Sequence, residues 1–236
     1  MRERLLAKWG TAWRVQQLFG WGEFFRSSGL YLLQMSVGYR AALVFALPTA
    51  TGPAPVMPPG LIFAFVEPER IDRMLLGETA WTMELIQKKA SQGRRFFVGI
   101  QDGRQCYFSV MNCRDFVIGG RFHVRLDGNT QAYVGGCHTA ASHRGQGVYP
   151  LALQCLGQRL AAEGERWLFL HIEVENESSM RGVRKAGFRP VARASVFRVL
   201  GLHRRNWRLL PVDEAWQTCG VKQWGLEPDW DESAEQ

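Results

Sequence analysis

The sequence predicts an α/β (α+β) fold built on a mixed sheet flanked by helices. Three observations carry this. Runs of β-branched and aromatic residues alternate with segments of helical spacing through the middle of the chain. Two of those runs are joined by a helix, so the strands they form are expected to lie parallel, linked by a right-handed crossover. A proline-rich break separates this regular stretch from the segment before it. With 236 residues, 46% apolar and 22% charged, the chain can build a core, and a wholly disordered, collagenous or coiled-coil protein is excluded.

Pro53, Pro55, Pro58 and Pro59 fall together beside Gly52 and Gly60, where neither helix nor sheet continues. Residues 1–60 therefore read as an aromatic, basic N-terminal extension ending in a linker, 61–202 as the folded domain, and 203–236 as a C-terminal extension. The end of that extension is acidic, with Glu227, Asp229, Asp231, Glu232 and Glu235, and is expected to be loose. The run Leu-Ile-Phe-Ala-Phe-Val from Leu61 predicts a strand. Ile71, Met74, Leu75, Leu85 and Ile86 predict one helix over 71–89. Residues 96–100 and 106–110 flank Asp102-Gly103 and predict a hairpin. A strand is expected over 131–139, after the turn Asp127-Gly128-Asn129, and another over 167–174. Between them Leu151 with Cys155, and Ala152 with Leu156 and Leu160, draw a helix face. A second helix should follow Asn176, capped by Ser178 or Ser179 and ending at Gly187, before a last strand over 191–202.

With 29 Lys and Arg against 22 Asp and Glu, the formal charge is +7, which favours an anionic partner: a phosphorylated cofactor, nucleic acid or an acidic membrane surface. The five cysteines, Cys106, Cys113, Cys137, Cys155 and Cys219, form no Cys-x-x-Cys pair, so a reducing cytoplasm and no metal are expected. Residues 1–25 lack the compact apolar run of a secretory signal. The window 27–47 is interrupted by Gln34, Arg40 and two glycines, against a membrane span. Leu5, Trp9 and Trp13 make an amphipathic stripe. Packing on the protein's own sheet is the preferred reading, because Gly10, Gly20 and Gly22 interrupt a long helix, and a membrane interface or partner groove is the other. Arg204, Arg205, Trp207 and Arg208 form a basic cluster without any motif that reads bases, so nucleic acid is not expected as a partner.

The chemistry concentrates between the strand over 131–139 and its helix, at Ser142-His143-Arg144-Gly145-Gln146-Gly147-Val148-Tyr149-Pro150. Two glycines one residue apart let the backbone turn tightly and present amides immediately before a helix N-terminus, an arrangement suited to phosphate. Pro150 sits in the first turn, where its missing N–H costs nothing, and Arg144 adds a full charge. The Walker pattern is absent, and the third glycine of a dinucleotide fingerprint is not supplied.

Arg144-Gly145-Gln146-Gly147, the following helix, the strand over 168–174, then Asn176-Glu177-Ser178-Ser179 and Arg184-Lys185-Ala186-Gly187-Phe188 together resemble the GNAT superfamily of acyl-CoA-dependent N-acetyltransferases. The resemblance covers about 61–201 and is specific over 133–191. It implies a mixed sheet splayed between the strands over 131–139 and 167–174, with acetyl-CoA in the gap as co-substrate and no metal. The pantetheine arm would pair with backbone around His138 and Thr139. Arg144, Gly145, Gln146, Gly147 and Val148 would wrap the pyrophosphate, and Asn176 would meet the coenzyme from the other side.

The implied reaction moves an acetyl group to a primary amine of a small molecule, such as an amino sugar or an amino-acid-like metabolite, by direct attack. The readings beside it are a non-catalytic CoA-binding sensor or scaffold, transfer of a longer acyl group, and a peptide or protein amine as acceptor. An amine must lose a proton before attack, which makes Glu173 the first choice of base, with His171 on the same side of its strand and His138 on the facing one. Many relatives place a tyrosine acid seven residues after the asparagine. That position is Val183 here, so Tyr149 or Tyr133 would have to protonate the thiolate, or it would leave unaided. Ser142 stands where the motif commonly has Gln or Arg. Cys137 is read as a buried free thiol rather than a nucleophile. The acceptor pocket would draw on Trp81, Tyr107, Phe197 and nearby arginines, suiting a bulky or acidic acceptor, and the oligomeric state is left open.

Overall fold

The structure, a computed structural model, describes residues 37–49, 55–119, 122–128, 130–199, 202–212 and 228–229. The amphipathic stripe at Leu5–Trp9–Trp13, Pro53, Asn129, Cys219 and most of the acidic tail lie outside the described residues. Two units emerge: a smaller one taking in 37–41, 195–199 and 202–206, and a larger one taking in 42–194 and the described residues from 207 on. The site belongs to the larger unit.

Its sheet is built from β1 (Val37–Pro48, entering at Ala42), β2 (Leu61–Val66), β3 (Arg95–Gln101), β4 (Arg104–Asn112), β7 (Gln131–Thr139) and β8 (Trp167–Glu173). They run in the order β1-β8-β7-β4-β3-β2. All neighbours are antiparallel except β7 and β8. The hairpin turn between β3 and β4 puts both Asp102 (φ 50°) and Gly103 (φ 80°) in the left-handed region, the geometry that matches strand twist. Three further short strands, β5 (Asp115–Ile118), β6 (Phe122–Arg125) and β11 (Pro228–Asp229), make a second sheet. Asp115 anchors it by accepting from Arg94 at 2.8 Å and pairing with His123 at 2.9 Å.

Helices α1 (Arg73–Gly77) and α2 (Met83–Ser91) bury Leu75, Leu76 and Ile86, with Ile71 just before the first, against Phe96, Val98, Phe108 and Val110 of β3 and β4. A second cluster joins Leu168, Leu170 and Ile172 of β8 to Ala152, Leu153, Leu156 and Leu160 of α3 (Val148–Ala162). Each leucine buried there contributes about 1.5–3 kcal/mol. Helix α4 (Glu177–Lys185) adds Val183, with Ala186 and Phe188 just beyond it.

Four features differ from the sequence reading. Residues 42–48, assigned there to the extension, form a strand paired antiparallel with β8 from Ala42↔Glu173 to Pro48↔Trp167. The single helix over 71–89 is two helices. Thr79 accepts from the Trp81 amide and donates to the Leu76 carbonyl, ending the first, and Thr82 caps the second. The cap of α4 is Asn176 itself, whose Oδ1 accepts from the Ser179 amide at 3.1 Å and from the Ser178 hydroxyl. The basic cluster over 204–208 belongs to a strand, β10 (Leu202–Leu209), which follows β9 (Arg189–Val199).

Candidate active site

The parallel ladder between β7 and β8 holds only at Gln131↔Trp167, Ala132↔Leu168 and Tyr133↔Phe169. Beyond Tyr133 the strands separate and a cavity of about 600 Å³ opens, lined among others by Gly136 and Cys137 of β7, His171 and Glu173 of β8, Tyr149 and Asn176. The other edge of β7 is irregular too. Its register against β4 passes from Val110↔Gly135 to Phe108↔His138, so Gly136 and Cys137 bulge opposite Ser109. Gly136 takes φ 60°, and a Cβ there would fall 2.6 Å from Trp81 Cζ2.

The turn after β7 has Gly145 at φ 78° and Gly147 at φ 81°. A Cβ on either would meet nothing within 4 Å, so backbone conformation and not crowding requires glycine. Gly147 is the N-cap of α3, and the first inward bond comes from the Leu151 amide to the Gly147 carbonyl. Among the described residues, the amides of Gly145, Gln146, Gly147 and Val148 have no protein acceptor. The Gln146 side chain folds back to donate to the Ser142 carbonyl at 2.9 Å, and Arg144 Nε donates to the Thr139 carbonyl at 3.1 Å. The turn is thus held by its own side chains while these amides are left without a protein acceptor, which fits a diphosphate.

At the inner end of the cavity the Cys137 thiol lies beside the hydroxyls of Tyr107 and Tyr149, whose rings stack at 6.3 Å. Burial pushes the Cys137 thiol up to about 11 and raises both tyrosines above their usual range, so all three are protonated at neutral pH. Tyr133 Oη lies 2.9 Å from His171 Nδ1, and both rings stack with Phe116 of the second sheet. Burial lowers His171 to about 4 and leaves it neutral.

Of the residues singled out from sequence, Glu173, Tyr149 and Asn176 line the cavity, and Arg144, Gly145, Gln146, Gly147 and Val148 form the turn at its helix start. Asn176 spends its Oδ1 on the α4 cap. His138 is not among the lining residues. Strand alternation aims Cys137 into the cavity and His138 away from it, onto Glu78 at 3.2 Å. Val183 is fully buried in the core, so its position offers nothing to the cavity. Two residues were not anticipated. Glu78 accepts from the Ala141 amide at 2.9 Å and is held below the usual carboxylate range chiefly by that bond. Gly182 leaves room for the Tyr149 ring, and only its interval from Asn176 on a helix hints at this. Of the acceptor residues named from sequence, Trp81 lies against the bulge, Tyr107 is buried beside Cys137, and Phe197 falls in the smaller unit. Among the described residues the charged side chains that line the cavity are Glu173 and Glu175.

Among the described residues no group of His, Cys, Asp or Glu is placed to hold a metal ion, and no helix is long and apolar enough to cross a membrane. No family model and no curated protein matches the chain. Solved structures do. A Drosophila protein superposes at a TM-score of 0.51 with 12% identity over 75% of this chain and 58% of its own. A GNAT-family acetyltransferase from Colwellia psychrerythraea gives 0.51 with 15% identity over 73% and 61%. A GCN5-related glucosamine N-acetyltransferase region of a fungal multi-domain β-N-acetylglucosaminidase gives 0.50 with 11% identity over 76% and 23%. The chain spans less than two thirds of the length of each. These likenesses define the class by its fold. The chain has the mixed, splayed GNAT fold.

Proposed function

We propose that the chain is a GNAT-type acyltransferase that moves an acetyl group from acetyl-CoA to a primary amine of a small molecule by direct attack. The observation that carries this is the coincidence of two features at one strand: β7 parts from β8 after Tyr133, and the chain leaving β7 forms a glycine turn whose amides have no acceptor among the described residues. The turn would hold the diphosphate through Gly145, Gln146, Gly147 and Val148, with Arg144 adding charge. The cleft offers unpaired strand backbone to the pantetheine arm, which carries the thioester.

Glu173, exposed at the end of β8 and lining the cavity, takes the proton from the incoming ammonium. The bulge at Gly136 and Cys137 presents backbone N–H to the acyl oxygen as it gains charge. Tyr149 holds its proton at neutral pH and gives it to the departing thiolate from the side on which Gly182 leaves space. Burial keeps the Cys137 thiol protonated at neutral pH, which supports direct attack by the amine over an acyl-enzyme on this residue. The free thiols of Cys106, Cys113, Cys137 and Cys155 support a reducing, cytoplasmic setting.

The experiment is release of the CoA thiol from acetyl-CoA, followed against a panel of amino sugars, amino acids, other small amines and peptides. Amine-dependent release with stoichiometric N-acetylated product supports the proposal. Coenzyme binding without turnover of any amine, including longer acyl donors, moves the chain to the sensor reading.

A further inference from the structure

Glu78 lies on the connection between α1 and α2, far in sequence from the glycine turn. One of its oxygens, Oε2, accepts from the Ala141 amide at 2.9 Å, lies 3.2 Å from His138 Nε2, and sits 3.7 Å from the Arg144 guanidinium. Arg144 is held from its other side by the Thr139 carbonyl. The end of β7, the first amide beyond it and the residue before Gly145 therefore converge on a single carboxylate. Trp81, on the same connection, packs its ring against the bulge at Gly136 and stacks edge-on to Phe108. One short segment thus touches both the bulge and the entry to the turn.

We propose that Glu78 is a positioning residue for the coenzyme: it touches no part of the ligand but fixes the entry of the 144–148 turn so that its amides converge on the diphosphate. This rests on the acyl-CoA reading above. A turn with two glycines in the left-handed region has many conformations available when free, and ordering it on binding weakens affinity. An anchor that orders it beforehand removes that cost. Charge alone acts in the opposite sense, because a carboxylate beside a diphosphate repels it. The contribution of Glu78 therefore comes through geometry, and an uncharged side chain with an acceptor oxygen in the same place should preserve it.

The test compares two donors, acetyl-CoA and acetyl-pantetheine, which shares the thioester arm but lacks the diphosphate. KM for each is measured in the wild type, Glu78→Ala and Glu78→Gln. In Glu78→Ala, KM for acetyl-CoA should rise about tenfold, the scale of one lost hydrogen bond to a charged group, while KM for acetyl-pantetheine stays within about twofold. Glu78→Gln, which keeps an oxygen for the Ala141 amide, should recover most of the loss. Because both constants are read within each variant, their ratio is insensitive to the fraction of protein folded. Unchanged constants for both donors in Glu78→Ala, or a parallel rise in both, overturns the role of Glu78. If the wild type neither binds nor turns over acetyl-CoA, the acyl-CoA reading falls first, and Glu78 with it.

Discussion

The Cδ1–Cε1 edge of the Tyr149 ring lies against Gly182: a Cβ built on that glycine would fall 2.6 Å from Tyr149 Cδ1 and 3.0 Å from Cε1. Two helices meet there, one beginning at the glycine turn and one capped by Asn176, and the missing side chain lets the tyrosine reach the cavity. Gly182→Ala should displace the ring. A shift of this kind in a proton donor lowers kcat about tenfold or more while coenzyme affinity stays within about threefold. Steady-state kinetics with titration calorimetry of CoA checks the split.

Tyr149→Phe removes the hydroxyl but keeps the packing on Tyr107 and Gly182. kcat should fall by about 10²-fold, the lower end for a lost general acid, since a thiolate leaves readily. The wild-type rate should not decline from pH 7 to 9.5 through this group, because burial raises its ionisation above the ordinary tyrosine range. The pH–rate profile of the two proteins measures both effects.

Glu173→Gln should leave the dissociation constant for acetyl-CoA within about twofold and lower kcat by about 10²-fold at neutral pH. The rate of the variant should recover partly as pH rises and more amine is already deprotonated. An unchanged rate assigns the proton to another acceptor, with His171 next along the same face of the strand.

Cys137, with its thiol pushed up to about 11, should resist alkylation at pH 7.5. Cys137→Ala should keep turnover within about fivefold. Intact-protein mass spectrometry after incubation with acetyl-CoA alone should show no added acetyl group on the wild type.

His171 links stability to pH. Its folded-state value near 4 lies below the ordinary 6.5, so between those limits the unfolded chain binds a proton that the native protein does not. Stability contributed by this residue is present above 6.5 and is lost as pH falls toward 4, by about 3 kcal/mol in total. Urea unfolding at pH 4.5 and 7.5 should show that loss in the wild type and a smaller one in His171→Phe, which keeps the ring stack with Phe116 and Tyr133.

Much of the sheet could be read from local pattern, because 167–173 is dense in aromatic and aliphatic residues, 131–139 follows the turn signal at Asp127-Gly128, and the Asp102-Gly103 turn has few alternatives. The glycine turn was equally legible, since positive φ at 145 and 147 leaves a mark in residue type. What escaped depends on distant partners. The segment 42–48 is a strand because β8 pairs with it, more than a hundred residues away, and the proline cluster between them masked that membership. Thr79 and Thr82 divide the helix at 71–89 by side-chain bonds that periodicity does not register. Glu78 is one carboxylate among many in a sequence, and only the folding of its loop onto Ala141 and Arg144 distinguishes it. His138 turns onto Glu78, a partner sixty residues away that its neighbours in sequence do not reveal.

The most direct measurement is the crystal structure of the chain with acetyl-CoA. The diphosphate oxygens should lie within hydrogen-bonding distance of the amides of 145–148, with the thioester in the opening between β7 and β8. A diphosphate bound elsewhere, or those amides covered by the protein's own side chains, contradicts the proposed site and the transferase built on it.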